Sequence, residues 1–189
     1  EYAQFAKADV DFHYHFNFGK EQKIATCLFA GYGLAYGNSD ILPFTKQYFS
    51  GGPYSVRAFR IRSLGPGTYN ELGTDEGTFF DQTGNIRLEA NIEYRFPVYR
   101  FLKGAIFADA GNVWNTDNDE TSLPGGEFSS SFINELGIGV GTGVRVDIQG
   151  FVIRLDYAVP IHTPFKPEGE RYGFEIDNSV LNFAIGYPF

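Results

Sequence analysis

The chain has 189 residues, a formal net charge of −8, 17% aromatic residues, 23 glycines, a single cysteine and no methionine. The acidic balance argues against nucleic acid, which calls for a basic stripe, and one cysteine rules out an internal disulfide framework. No run approaches the ~18 consecutive apolar residues of a transmembrane helix, while a mean hydropathy of −0.21 is what alternating wet and apolar faces leave on averaging.

The first strand, Ala6 to Phe18, sets Ala8, Val10, Phe12, Tyr14, Phe16 and Phe18 on one face and Asp9, Asp11, His13, His15 and Asn17 on the other, because side chains alternate with a period of two. Gly19-Lys20-Glu21-Gln22 reverses the chain. The next strand, Lys23 to Gly37, turns Ile24, Leu28, Tyr32 and Tyr36 outward and Ala25, Cys27, Phe29, Gly31 and Gly33 inward. That inward row is nearly bare, so something bulky fits against it, and Cys27 reads there as an inert small side chain. Residues 38 to 82 form a loop much longer than a connection in a compact domain, which points to function.

The strictest alternation is Ile86 to Phe96: Arg87, Glu89, Asn91, Glu93 and Arg95 occupy every second position, with apolar residues between. A short turn from Tyr99 to Lys103 leads to a strand from Gly104 to Trp114, with Phe107, Asp109 and Gly111 on one side and Ile106, Ala108 and Ala110 on the other. A second long loop, 115 to 132, carries Asp117, Asp119, Glu120 and Glu127. It lacks the ligand spacing of a calcium loop and reads as a solvated acidic segment. Asn134 to Ile148 alternates Leu136, Ile138, Val140, Thr142, Val144 and Val146 against glycines with Glu135, Arg145 and Asp147, and Gln149-Gly150 is the tightest turn in the chain. Phe151, Ile153, Leu155, Tyr157 and Val159 then face outward, with Arg154 and Asp156 inward. A third loop, 161 to 178, precedes a last strand in which Leu181, Phe183, Ile185, Tyr187 and Phe189 share a face.

About seven strands of the ~9 to 11 residues that cross a bilayer, joined by short turns at one rim and long loops at the other, describe an all-β, antiparallel transmembrane β-barrel. A soluble barrel or sandwich also alternates. Against it, the second faces carry too many Arg, Glu, Asp and His side chains for a dry core. Seven strands left open in lipid would strand unpaired backbone groups at both edges, so either further N-terminal strands close the barrel or copies of the fragment self-associate through strand edges. With no Met, and with Glu1 opening almost directly into a strand, the chain reads as the C-terminal part of one barrel domain, 1–189, its signal peptide and N-terminal regions lying outside it.

Three segments carry a resemblance. Gly51-Gly52-Pro53-Tyr54-Ser55-Val56-Arg57-Ala58-Phe59-Arg60, followed by Ser63-Leu64-Gly65-Pro66-Gly67, resembles the loop signature Val/Ile-Arg-Gly-Phe/Tyr of the outer-membrane assembly and secretion transporter superfamily (BamA/TamA-like, bacterial surface antigen family). Phe107, Asp109 and Gly111 match its Phe-x-Asp-x-Gly signature, with Asn112-Val113-Trp114 continuing the likeness. Phe183, Ile185, Tyr187 and the terminal Phe189 look like the C-terminal signal strand that targets outer-membrane barrels. The resemblance covers essentially the whole chain and implies a parent barrel of about 16 strands.

It also implies that the long loop folds back into the lumen, where its arginine, Arg57, contacts acidic residues of the inner wall. Glu93 and Asp109 both fall on inward faces by alternation. A guanidinium offers a fixed fork of donors able to bridge two carboxylates, which lysine lacks. Ala58 stands where the family usually has glycine, so the loop tip is expected to take a more ordinary turn than one needing positive φ.

Other sites are weaker. His13 and His15, two apart on one face beside Asp9 and Asp11, have a spacing open to a transition metal, but polar lining of the lumen is the favoured reading and no metal is assigned. No nucleophile elbow, phosphate-binding loop or Cys/His cluster is present in the sequence, so neither catalysis nor a cofactor is expected. The resemblance implies an outer-membrane assembly and insertion factor, with the lipid bilayer, client outer-membrane proteins and periplasmic or lipoprotein partners around it. Its mechanism would be strand templating at a lateral seam, and Gly186 and Pro188 near the end suit a weak edge. A two-partner secretion pore that passes an unfolded passenger, and a barrel that anchors an N-terminal functional domain, are the alternatives.

Overall fold

The computed structural model describes residues 3–19, 21–39, 41–69, 82–116, 123–148 and 151–189. Its seven strands are β1 (Gln4–Asn17), β2 (Lys23–Tyr36), β3 (Ile86–Tyr99), β4 (Leu102–Trp114), β5 (Gly137–Ile148), β6 (Phe151–His162) and β7 (Val180–Ile185). They form one antiparallel sheet in chain order, a meander in which each strand pairs with its sequence neighbours. Among the described residues β1 and β7 pair on one side only, so the sheet is open. The first six strands run 12 to 14 residues, enough to cross a bilayer, whereas β7 has 6.

The two faces differ as the alternation predicts. Phe12, Leu28, Ile92, Ile106, Leu155 and Phe183 are all exposed on the outer face. The opposite, lumen-side face buries Glu89, Glu93, Asp109, Arg145, Arg154 and Asp156. Apolar side chains left bare beside buried charge fit hydrocarbon outside and a polar interior, the reverse of a soluble sheet.

The segment between β2 and β3 supplies what covers that polar face. It is held by isolated bridges between Tyr48 and Gly84 and between Ser50 and Leu64. Tyr48 lies over Gly31, where a Cβ would stand 2.6 Å from its ring, and Leu42 lies over Gly33. The bare row of β2 is therefore a seat for the loop. A small apolar cluster of Val56, Ala58, Phe59, Leu64, Phe107 and Ala158 forms where the loop meets β4 and β6.

Several boundaries differ from the sequence reading. The turn expected over Tyr99 to Lys103 shrinks to Arg100 and Phe101, because β3 continues to Tyr99 and Arg100 takes a φ of 43°. The strand expected from Asn134 begins only at Gly137; Phe132–Glu135 is a 3-10 turn that aims Glu135 at the indole of Trp114, 2.6 Å from its Nε1. Val159, expected to face outward, is buried at 4% exposure beside an irregular register between β5 and β6. The last strand stops at Ile185, since Gly186 adopts a φ of 91° and turns the tail away. Lys20 of the first turn, the Gln149-Gly150 turn, and Asp117, Asp119 and Glu120 of the acidic loop lie outside the described residues.

Candidate functional site

Residues 50–59 put the loop's polar backbone close to the inner wall. Gly51 and Gly52 have φ of 98° and 95°, a region only glycine adopts cheaply, and Val56 to Phe59 then closes a tight turn through a 3.1 Å hydrogen bond from the Phe59 N–H to the Val56 carbonyl. Ala58 has no positive φ, so the turn is the ordinary kind that its side chain allows. Its methyl fills the space above Gly139, where a Cβ would collide with it.

That turn aims Arg57 at β3 and β4. Its Nε and Nη2 donate to the two oxygens of Asp109, each at 2.8 Å, and its own backbone N–H adds a 3.1 Å bond to the same carboxylate. Nη1 donates to Glu93 at 2.5 Å and lies 3.6 Å from Asp156. The face of the guanidinium stacks on the Phe107 ring, 3.4 Å from its centroid. Burial opposes the charge on Arg57, but the hydrogen bonds and charge of Asp109, followed by Glu93, outweigh it and hold its proton more tightly than usual.

Around this pair the wall supplies a second layer of charge. Arg145 donates to Glu93 at 2.8 Å and also to Asp156, and Arg95 donates to Glu93 at 2.6 Å. Arg154 meets Asp156 at 3.2 Å and donates to the Pro53 carbonyl of the loop at 2.6 Å. Asn91 ties the Asp109 carboxylate to the Ser55 carbonyl, and Asn182 of β7 donates to the Arg57 carbonyl at 2.8 Å. A buried charge is tolerated only when paired and hydrogen-bonded, and every carboxylate here has at least one arginine. A second anchor lies nearby, where Ser50 and Ser55 donate to Glu89 while Arg87 approaches it at 2.6 Å.

The residues that sequence reading placed at the site converge. Val56, Arg57, Phe59, Glu93, Phe107 and Asp109 are all buried, and Gly111 has no room for a side chain, because a Cβ would meet Glu89 at 2.6 Å and Val56 at 3.0 Å. The two signatures touch again farther along: the Gly67 N–H donates to the Val113 carbonyl at 2.8 Å, and Asn112 donates to the Gly67 carbonyl at 2.9 Å. Alternation places Asp156, Arg145 and Arg154 on inward faces and gives them no role. Their signal was the alternation itself, which put all three in one lumen with Glu93.

The C-terminal group divides. Phe183 and Ile185 are exposed on the outer face. Tyr187 and Phe189, expected to share it, turn inward: Arg95 lies 4.4 Å from the Tyr187 ring centroid and donates to the Phe189 carbonyl at 3.2 Å. The loop also reaches the last strand, through a 2.6 Å hydrogen bond from the Tyr54 hydroxyl to the Ile185 carbonyl.

Known proteins resemble this chain in family and fold. The Omp85 superfamily domain matches residues 1–189. The outer membrane protein assembly factor BamA of Neisseria meningitidis serogroup B is 28% identical over 164 residues, which is 77% of this chain and 20% of that protein. The chain thus spans about a fifth of that curated relative. The crystal structure of BamA from Haemophilus ducreyi lacking POTRA domains 1–3 superposes with a TM-score of 0.65 at 18% identity, covering 97% of this chain and 35% of the other. CdiB from Acinetobacter baumannii gives a TM-score of 0.55 at 17% identity, covering 98% and 27%.

Proposed function

Because the chain belongs to the Omp85 superfamily, whose members are outer-membrane β-barrels acting in assembly and transport rather than catalysis, we propose that it forms the C-terminal wall of an outer-membrane protein assembly factor. The single observation that carries this is the mismatch at the last strand. β6 offers 12 residues, β7 covers only Ile153 to Ala158 of them, and the chain bends inward at Gly186. Gly186, Glu175, Gly173 and Tyr172 take up the ends of β6 that β7 leaves, so what stays open is the outer edge of β7 itself, unpaired among the described residues, whose backbone donors and acceptors would pair with an incoming strand by β-augmentation before release into the bilayer. Client outer-membrane proteins are the proposed partners, with periplasmic or lipoprotein helpers at the rim.

The Arg57 network holds the loop on the inner wall under either reading, because a two-partner secretion pore shares both signatures, and the two differ in whether the full barrel is a standing conduit. Full-length protein in liposomes of outer-membrane lipid tests both readings. The assembly reading expects faster folding of an added client barrel at low single-channel conductance. Steady conductance with no effect on client folding would overturn it in favour of the pore.

A further inference from the structure

The sheet brings together three side chains that the loop network does not use. His13 on β1 lies directly opposite Cys27 on β2, and Asp11, two residues before His13, projects from the same face. Asp11 Oδ1 is 2.7 Å from His13 Nε2, Cys27 Sγ is 3.5 Å from Asp11 Oδ1, and Cys27 Sγ is 3.9 Å from His13 Nε2. Cys27 is 8% exposed, while Asp11 and His13 remain open to the lumen.

From this geometry we propose that Asp11, His13 and Cys27 form a binding site for a divalent transition-metal ion of the zinc type. A triangle with sides of 2.7, 3.5 and 3.9 Å has a circumradius of about 2.0 Å. An ion slightly off its plane would sit just over 2 Å from all three atoms, where zinc holds oxygen and nitrogen at about 2.0–2.2 Å and thiolate at about 2.3 Å. The ion takes the place of the Asp11–His13 contact: the neutral imidazole binds it through Nε2 with its proton on Nδ1, the carboxylate binds as the anion, and the thiol gives up its proton to the solvent. One nitrogen, one sulfur and one oxygen donor suit zinc and cobalt and disfavour calcium or magnesium, which prefer oxygen alone. Lumen water would complete a tetrahedron. The sequence showed only the histidines and aspartates of one strand; the register adds the sulfur from across the ladder.

Such an ion would staple β1 to β2. The test is a titration of metal-free, full-length protein in detergent with Co²⁺, whose visible and near-ultraviolet spectrum reports tetrahedral geometry and a thiolate bond. The site predicts one Co²⁺ per chain with a thiolate charge-transfer band, displaced by Zn²⁺. Cys27→Ser should abolish the band, and Asp11→Asn or His13→Ala should weaken binding at least tenfold, each variant retaining the wild-type heat-modifiable band on gels. Absence of the charge-transfer band in the wild type, or its persistence in Cys27→Ser, would overturn the proposal, as would Co²⁺ affinity unchanged in His13→Ala.

Discussion

Arg57 and Asp109, 52 positions apart in the chain, meet through two parallel hydrogen bonds of 2.8 Å, Nε to Oδ2 and Nη2 to Oδ1. The fork of the guanidinium matches the fork of the carboxylate, and both side chains are almost wholly buried. A point charge on a flexible stem has no such match. Arg57→Lys should therefore destabilise the barrel nearly as much as Arg57→Ala, each by about 3–5 kcal/mol, the usual cost of leaving a buried ion without its partner. Urea unfolding of the full-length protein in vesicles measures this, and a lysine variant of wild-type stability would show that charge alone suffices.

The outward faces make a separate prediction. Ile92 and Ile106, on neighbouring strands, are 49% and 56% exposed, which in water would be a liability and in lipid is the expected state. Replacing either with arginine should cost about 2–4 kcal/mol if the position lies near the bilayer midplane. The same vesicle unfolding assay reads the cost. Free tolerance of arginine at both positions would place that face in water.

Gly31 and Gly139 are predicted to be seats for the loop. Any side chain at Gly31 meets the ring of Tyr48, whose hydroxyl is hydrogen-bonded to Asp9, and any side chain at Gly139 meets Ala58. Gly31→Val and Gly139→Val should lift the loop while leaving the outer face unchanged. Fluorescence from a dye placed at Tyr54 would report the shift, and an unaltered signal in both variants would mean the loop is not seated there.

Much of this was readable from the chain, because period-two alternation fixes which residues face the lumen, and the wall carboxylates met by Arg57 are those the alternation turned inward. The bare row of β2 likewise announced an occupant, which proved to be Tyr48 and Leu42. The end of the chain was harder. Tyr187 and Phe189 continue the apolar alternation of Phe183 and Ile185, and nothing in their hydropathy separates lipid contact from stacking on Arg95; a single positive φ at Gly186 decides it. The start of β5 is hidden for a related reason, since Asn134 and Glu135 fit the alternation while Trp114 draws Glu135 into a 3-10 turn.

Outside the membrane-spanning strands, the loop after β6 should respond to acid. Burial disfavours the Glu175 carboxylate, but hydrogen bonds from Asn178, Lys166 and Thr163 more than compensate and hold its pKa below the usual range. A carboxyl that titrates lower when folded than unfolded stabilises the fold fully above its unfolded pKa, and that contribution is lost as pH falls through its folded value. Intrinsic amide exchange slows in mild acid, so exchange across residues 163–179 should slow less than that trend as pH drops below about 4, a relative acceleration. Glu175→Gln should remove that extra acceleration, and an identical profile in the variant would assign it to another group.

The most direct measurement is limited proteolysis of the full-length protein in lipid, comparing wild type with Arg57→Ala and mapping cuts within residues 41–69, the described part of the loop around Arg57. The wild-type loop, fixed on the inner wall by Asp109 and Glu93, should resist cleavage, and the variant should be cut there readily with its strands still intact. Equal resistance in both proteins would contradict the assignment of Arg57 as the residue that holds the loop in the lumen.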